Sequence, residues 1–207
     1  MNSFDGLLMA SGGMDSTVMA HWLKAQGKNI LPLFIDYGHH CRETELETLK
    51  KVLPEDYAKN IRQINISDIY SNSSSKILNE PNLWTDNIDA DDLYLPFRNL
   101  LFFSIAAAIA EAENIEFVYA AFIDSNLAKE IDCSDEFFVK LNSLFELYGT
   151  VEIMIPFKDF TKKQVAELGI ELGVPVAKTF SCQANSKIHC GSCPNCVDRI
   201  SAFESFS

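Results

Sequence analysis

The chain has 207 residues, 47% of them hydrophobic, and a formal net charge of −12. That size suits one domain with a sizeable core, and that charge argues against a long nucleic acid as partner. No apolar run reaches membrane-spanning length, no secretory leader opens the chain, and the six cysteines speak for metal binding or catalysis rather than a disulfide framework, so a cytoplasmic protein is expected.

Residues 7–10 form an apolar run that reads as a buried strand. Ser11-Gly12-Gly13-Met14-Asp15-Ser16-Thr17 follows, and residues 15–26 continue at helical spacing up to Gly27 in a helix-ending role. Strand, glycine loop and helix in that order make an anion site. Glycines let the backbone turn and approach a ligand, and the first N–H groups of the helix are unpaired. Ser11, Ser16 and Thr17 add hydroxyls, and Asp15 is either a metal or loop-positioning carboxylate or a simple helix-dipole residue. The spacing is neither that of a P-loop nor that of a dinucleotide fingerprint.

Residues 29–36 read as a second strand, ending at Asp36-Tyr37-Gly38-His39-His40-Cys41. A surface helix over 42–53 stops at Pro54, and 61–66 alternates as a third strand. Residues 67–95 show no clear period; so long a loop is usually functional, and it is expected to order over a bound substrate. Leu95-Pro96-Phe97-Arg98-Asn99 opens a helix through 113 that is apolar nearly all round, hence expected to be buried. A fourth strand (115–122), a helix (134–148), a fifth strand (151–157) and a Thr161-capped helix to 172 complete the regular part.

Alternating strands and helices predict an α/β fold, a five-stranded parallel sheet with helices on both faces. Residues 1–177 are read as the nucleotide-binding domain and 178–207 as a metal-binding segment packed on it. In such sheets the loops after the strands meet at one edge. That rule gathers Ser11 to Ser16, Asp36 to His40, Arg98-Asn99, Asp124 and Lys158 near one crevice. Lys158 and Lys178 are the cations considered for phosphate, each with a solvated surface role as its alternative. Arg98 could hold phosphate or substrate in a fork geometry, or be a surface residue at a helix start.

Cys182, Cys190, Cys193 and Cys196 have the pattern C-x7-C-x2-C-x2-C. Four soft ligands with no open position describe a structural zinc. An iron–sulfur cluster is the rival with compatible spacing. Cys41 and Cys133 read as unpaired, partly buried residues.

The loop Ser-Gly-Gly-x-Asp-Ser resembles the pyrophosphate loop of the N-type ATP pyrophosphatases, which split ATP into AMP and pyrophosphate. Pro96-x-Arg98-Asn99 before an apolar helix, Asp132-Cys133 before Asp135-Glu136-Phe137, and the C-x7-C-G-x-C-x2-C-x2-Arg ending narrow the match. Over essentially the whole chain the sequence resembles the 7-cyano-7-deazaguanine synthases of the queuosine pathway. The resemblance implies adenylation of 7-carboxy-7-deazaguanine by ATP with Mg²⁺, displacement of AMP by ammonia, and dehydration of the amide to the nitrile with a second ATP. It implies structural Zn²⁺ on the four cysteines. It makes Ser11, Gly12, Gly13, Met14, Asp15, Ser16, Thr17, Asp36 and Tyr37 the ATP-binding candidates. Phe97, Arg98, Asn99, Asp124 and Asp132 are then the substrate candidates, with Asp15, Ser16 and Arg98 in catalysis.

Several positions depart from the family pattern. Phe97 stands where glycine is usual, His39-His40-Cys41 replaces Gln-Arg-His, and Ala128-Lys129-Glu130-Ile131 replaces Ser-Gly-Tyr-Pro. Phe97 is expected to stack on the planar base. Two alternatives to the synthase follow. One is a relative from an antiviral defence system that passes the activated carboxyl to a protein or other amine; the other is a non-catalytic nucleotide-binding module. A homodimer is a further expectation.

Overall fold

The computed structural model describes residues 3–82, 91–123 and 132–204. Its centre is a sheet of five parallel strands in the order β3-β2-β1-β4-β5. These are β1 (Gly6–Met9), β2 (Ile30–Asp36), β3 (Arg62–Asn65), β4 (Phe117–Tyr119) and β5 (Glu152–Met154). All five expected strands are present; the last four are shorter than their expected spans.

Alternation along the strands divides the core in two, because successive side chains leave a strand on opposite faces. Leu8, Ile30, Phe34 and Tyr119 point to one face, where they meet Val18, Met19 and Leu23 of α1 (Met14–Ala25), Leu49 of α2 (Arg42–Val52) and Tyr57 of α3 (Glu55–Ala58). Leu7, Leu31, Leu33, Ile35 and Val118 point to the other, under Phe103, Ala106 and Ala110 of α4 (Arg98–Ala112) and Leu141 of α5 (Asp135–Phe145). Both faces are covered, as a parallel sheet requires. α6 (Lys162–Glu171) starts with a capping box between Thr161 and Gln164 and packs beside α1.

Three features differ from the sequence reading. α4 is buried along one side only: Ser104 and Ala108 are exposed. Its outer face is made of small residues, so leaving it open exposes little apolar area. Among the described residues of the loop 67–95, Tyr70, Ile77, Leu93 and Leu95 pack with Tyr37 as a small separate core, so much of this loop is already docked without a substrate. The cysteine-rich end also contains a helix, α7 (Pro194–Glu204), with proline at its first position, where a missing N–H costs nothing. Its buried positions recur every three residues as Cys196, Arg199 and Ala202, continuing from Cys193 just before it. That stripe is made of thiols, a guanidinium and a methyl, so no apolar period announces it.

Strand order reverses between β1 and β4. Ligands of open α/β sheets bind beyond the carboxyl ends of the strands at such a point. The loop 11–17 leaves β1 there.

Candidate functional site

The glycine loop is shaped by its own hydrogen bonds. Gly12 has φ +78°, and a side chain there would meet the Glu45 carbonyl at 2.6 Å. Gly13 is the N-cap of α1 and supplies no side-chain cap, so the helix start is left for a ligand. The hydroxyls of Ser16 and Thr17 both donate to the Gly13 carbonyl, at 3.3 and 2.8 Å. Ser11 Oγ accepts from Gly13 N–H at 3.4 Å. Thr17 is fully buried, so its hydroxyl serves the loop rather than a ligand.

A cavity of about 320 Å³ opens beside this loop. Its floor is the end of β2 (Leu33, Phe34, Ile35) with Tyr37, and Arg98, Asn99 and Phe102 of α4 form the opposite wall. A smaller cavity of about 170 Å³ lies at the strand-order reversal, between Ser11, Gly13, Asp15, Ser16 and residues 120–122. The sequence-predicted Ser11, Gly13, Met14, Asp15, Tyr37, Arg98 and Asn99 therefore share one cleft.

The cleft also contains residues the sequence reading did not select. Lys162, the first residue of α6, places Nζ 2.9 and 2.7 Å from the two Asp15 carboxylate oxygens. Both side chains are largely shielded. Lys158 instead lies 3.7 Å from Asp135 in a separate cavity of about 120 Å³, and Lys178 is exposed. Lys162 was discoverable in principle: it directly follows a helix cap after the last strand, at the same sheet edge as the glycine loop. Glu45 lines the cleft as well. Its carboxylate lies 2.9 Å from Nε2 of His39, whose buried ring stacks on Tyr37 at 4.1 Å.

On the α4 wall, Asn99 Nδ2 donates to the Asp132 carboxylate at 2.9 Å, and the Asn99 backbone N–H donates to the same group at 3.2 Å. Burial, with the Asp132 charge beside it, pushes the Cys133 thiol up to about 12, so it is no nucleophile at neutral pH. Burial also pushes the Tyr37 phenol well above its ordinary range, against a weaker opposing pull from the nearby Arg98 cation. Tyr37 is therefore a neutral group beside a cation.

The remaining candidates sit apart. Asp36 is not part of the cleft lining; its carboxylate accepts from Gly38 N–H at 2.9 Å and Asn65 Nδ2 at 3.2 Å. Gly12 lies behind the cleft. Phe97 holds φ +57°, a left-handed conformation rare outside glycine, with 73% of the residue exposed at the start of α4. Asp124 and the segment 128–131 fall outside the described residues.

The four cysteines converge at the C-terminal end. The Sγ atoms of Cys182, Cys190, Cys193 and Cys196 all lie within 4.8 Å of one another, with Cys190 and Cys196 3.9 Å apart. Tetrahedral zinc with Zn–S of about 2.3 Å sets sulfurs about 3.8 Å apart. Backbone N–H groups of Asn185, Ser192 and Cys193 point at the sulfurs at 3.2, 3.4 and 3.2 Å, which favours thiolates. The cluster fits a four-coordinate thiolate metal and could hold zinc. Cys41 and Cys133 are free, as expected.

Comparison with known proteins agrees with this architecture. A solved 4-thiouridine synthetase, in complex with RNA and bound ATP, shares the fold at a TM-score of 0.56 and 18% identity, over 98% of this chain and 54% of that one. The 7-cyano-7-deazaguanine synthase of Nitratiruptor sp. is 30% identical over 96% of this chain and 93% of its own length. That of Campylobacter jejuni is 32% identical over 96% and 92%. The model of the family described as Queuosine biosynthesis protein QueC matches residues 5–207. With loop, cleft and cysteine cluster together in one such match, this chain belongs to the QueC family.

Proposed function

We propose that the protein is a 7-cyano-7-deazaguanine synthase. It adenylates the carboxylate of 7-carboxy-7-deazaguanine with ATP and lets ammonia displace AMP. It then activates the resulting amide with a second ATP and dehydrates it to the nitrile. The observation that carries this reading is the Asp15–Lys162 pair at the uncapped start of α1, facing Arg98 across one cleft. A carboxylate is a poor electrophile, and phosphoryl activation gives it a leaving group. The site must then hold a polyphosphate and the charge that develops as pyrophosphate departs.

This chain's residues suit those tasks. The N–H groups at the start of α1 and Lys162 bind phosphate oxygens, and Asp15 would hold Mg²⁺. Mg²⁺, when bound, neutralises the departing pyrophosphate. Without nucleotide, Lys162 and Asp15 satisfy each other; with it, each turns to a ligand of opposite charge. Arg98, steadied by the neutral Tyr37 phenol, faces the carboxylate being activated. The apolar floor of Leu33, Phe34 and Ile35 accepts a flat base, while Phe97 and Asp132 lie on the deazaguanine side. Cys182, Cys190, Cys193 and Cys196 would hold one Zn²⁺, which supplies cross-linking rather than reaction chemistry. Among the described residues no helix is long and apolar enough to cross a membrane, in keeping with a cytoplasmic small-molecule enzyme.

A homodimer belongs to this reading. Leu144 and Tyr148, 44 and 83% exposed, border an apolar groove against Ser104, Ala107 and Ala108 of α4. Sedimentation of Tyr148→Lys as a monomer, against a dimeric parent, is the expected outcome.

The test of function is incubation with ATP, Mg²⁺, ammonia and 7-carboxy-7-deazaguanine, with mass analysis of the product. The nitrile is expected. Turnover to an amide conjugate of another amine, with no nitrile, would favour the defence-type reading instead.

A further inference from the structure

The cysteine cluster forms part of the wall of the cleft. Phe180 donates its backbone N–H to the Gly12 carbonyl at 3.1 Å, so the cysteine segment and the glycine loop share a hydrogen bond. Ser181 and Gln183, on either side of Cys182, both line the cleft, and so does Asn195, immediately before Cys196. Two of the four thiol positions thus have direct chain neighbours in that wall.

The segment after Cys182 is tied down on its outer side. His40 Nε2 meets the Gln183 carbonyl at 3.0 Å, and the Cys41 thiol donates to the Asn185 carbonyl at 3.5 Å. Glu80 accepts the backbone N–H and hydroxyl of Ser186 at 3.1 and 3.0 Å, and the Thr44 hydroxyl donates to the Ser186 carbonyl. The cleft-facing side is held differently. The Ser181 hydroxyl is buried with no hydrogen-bond partner. The Ser181 backbone N–H donates to His189 Nε2 at 3.3 Å, and the thiol cluster adds a tie between Ser181 and Asn195 through Cys182 and Cys196. Drawing four thiols onto one ion fixes these wall residues relative to one another; releasing the ion removes that restraint.

We propose that metal in the cysteine cluster is a positive effector of nucleotide binding: it sets the affinity of the cleft for a nucleoside triphosphate through Ser181, Gln183 and Asn195. By linkage the nucleotide tightens the hold on the metal equally. The proposal rests on the reading of the cleft as a nucleotide site and gives the metal a role beyond stability.

The test uses the uncleavable α,β-methylene analogue of ATP with Mg²⁺, titrated into protein loaded with Zn²⁺ or with an NMR-active cadmium isotope, which thiolates also bind. Calorimetry should show binding to both loaded forms. The cadmium resonance should move as nucleotide saturates, and Asn195→Ala should weaken nucleotide binding about tenfold with metal stoichiometry unchanged. Chelation should lower nucleotide affinity by about tenfold or more, within the usual range for linked sites. If chelation unfolds the chain, the cadmium resonance still decides, because it is read on folded, loaded protein. A resonance unmoved at saturating nucleotide overturns the coupling and leaves the nucleotide reading standing. Failure of the loaded protein to bind nucleotide overturns both.

Discussion

Across the cleft, the glycine loop and the start of α4 present two different kinds of surface. The loop 11–17 is held by bonds among near neighbours: Ser11, Ser16 and Thr17 all bond to Gly13 or to each other, never more than five residues apart. It offers backbone N–H groups whose turn is set locally, while its distant ties, Phe180 N–H to the Gly12 carbonyl and Lys162 to Asp15, add to a turn already formed. The α4 wall depends on distant partners. Asn99 is set by Asp132, 33 residues on, Arg98 shares the cleft with Tyr37, the residue after β2, and Phe97 sits in a strained conformation with its surface exposed. A site built locally tolerates sequence drift elsewhere, whereas one built from distant partners can change specificity without disturbing the first. The departure from the family pattern at Phe97 falls on the second kind of surface.

Substitutions on each wall can break or sharpen that contrast. The largest effect should come from Lys162→Met, which removes a cation aimed at the phosphates. Turnover should fall on the order of 1000-fold with the circular dichroism spectrum unchanged; a loss below tenfold would place the phosphates elsewhere. Gly12→Ala should act on folding instead. It forces a Cβ against the Glu45 carbonyl and into a left-handed backbone, costing roughly 2–4 kcal/mol in urea unfolding. A neutral result would mean that the loop can relax.

On the other wall, Asn99→Ala removes hydrogen bonds to Asp132 and should cost about 1–2 kcal/mol of stability. Its kinetic signature should be a raised KM for the deazaguanine, with the KM for ATP little changed. Equal rises in both would show the two walls to be one unit. Phe97→Gly should have the smallest effect on folding, a gain of up to about 1 kcal/mol as the left-handed strain is relieved. Stacking predicts that the same variant binds the deazaguanine more weakly, and unchanged affinity would reduce the ring to a surface feature.

The contrast also explains what was legible in the sequence. The five strands, the glycine loop and the cysteine cluster are local patterns, and each is found where the spacing put it. Lys162 was missed because its one local mark, the place just after the Thr161 cap, does not by itself single it out from Lys158 or Lys163 as a phosphate cation. Only the packing of α6 beside α1 brings it to Asp15. Glu45 was missed for the same reason, on a helix that reads as a charged surface element, whereas His39 falls in the strand-end stretch that the sheet-edge rule gathers at the crevice. The docking of the loop 67–95 was hidden because its buried residues, Tyr70, Ile77, Leu93 and Leu95, are too widely spaced to show a period. Asp36 was readable as a strand-end residue, but its carboxylate is absorbed by the turn that follows, at Gly38 and Asn65.

The central claim, that the cleft joins a substrate carboxylate to the α-phosphate of ATP, has one direct test. 7-Carboxy-7-deazaguanine carrying heavy oxygen in its carboxylate is turned over with ATP and ammonia, and the phosphorus products are analysed by mass. The account predicts AMP bearing one labelled oxygen and unlabelled pyrophosphate, because the carboxylate oxygen leaves with AMP. Label in orthophosphate, with ADP as the nucleotide product, would contradict it.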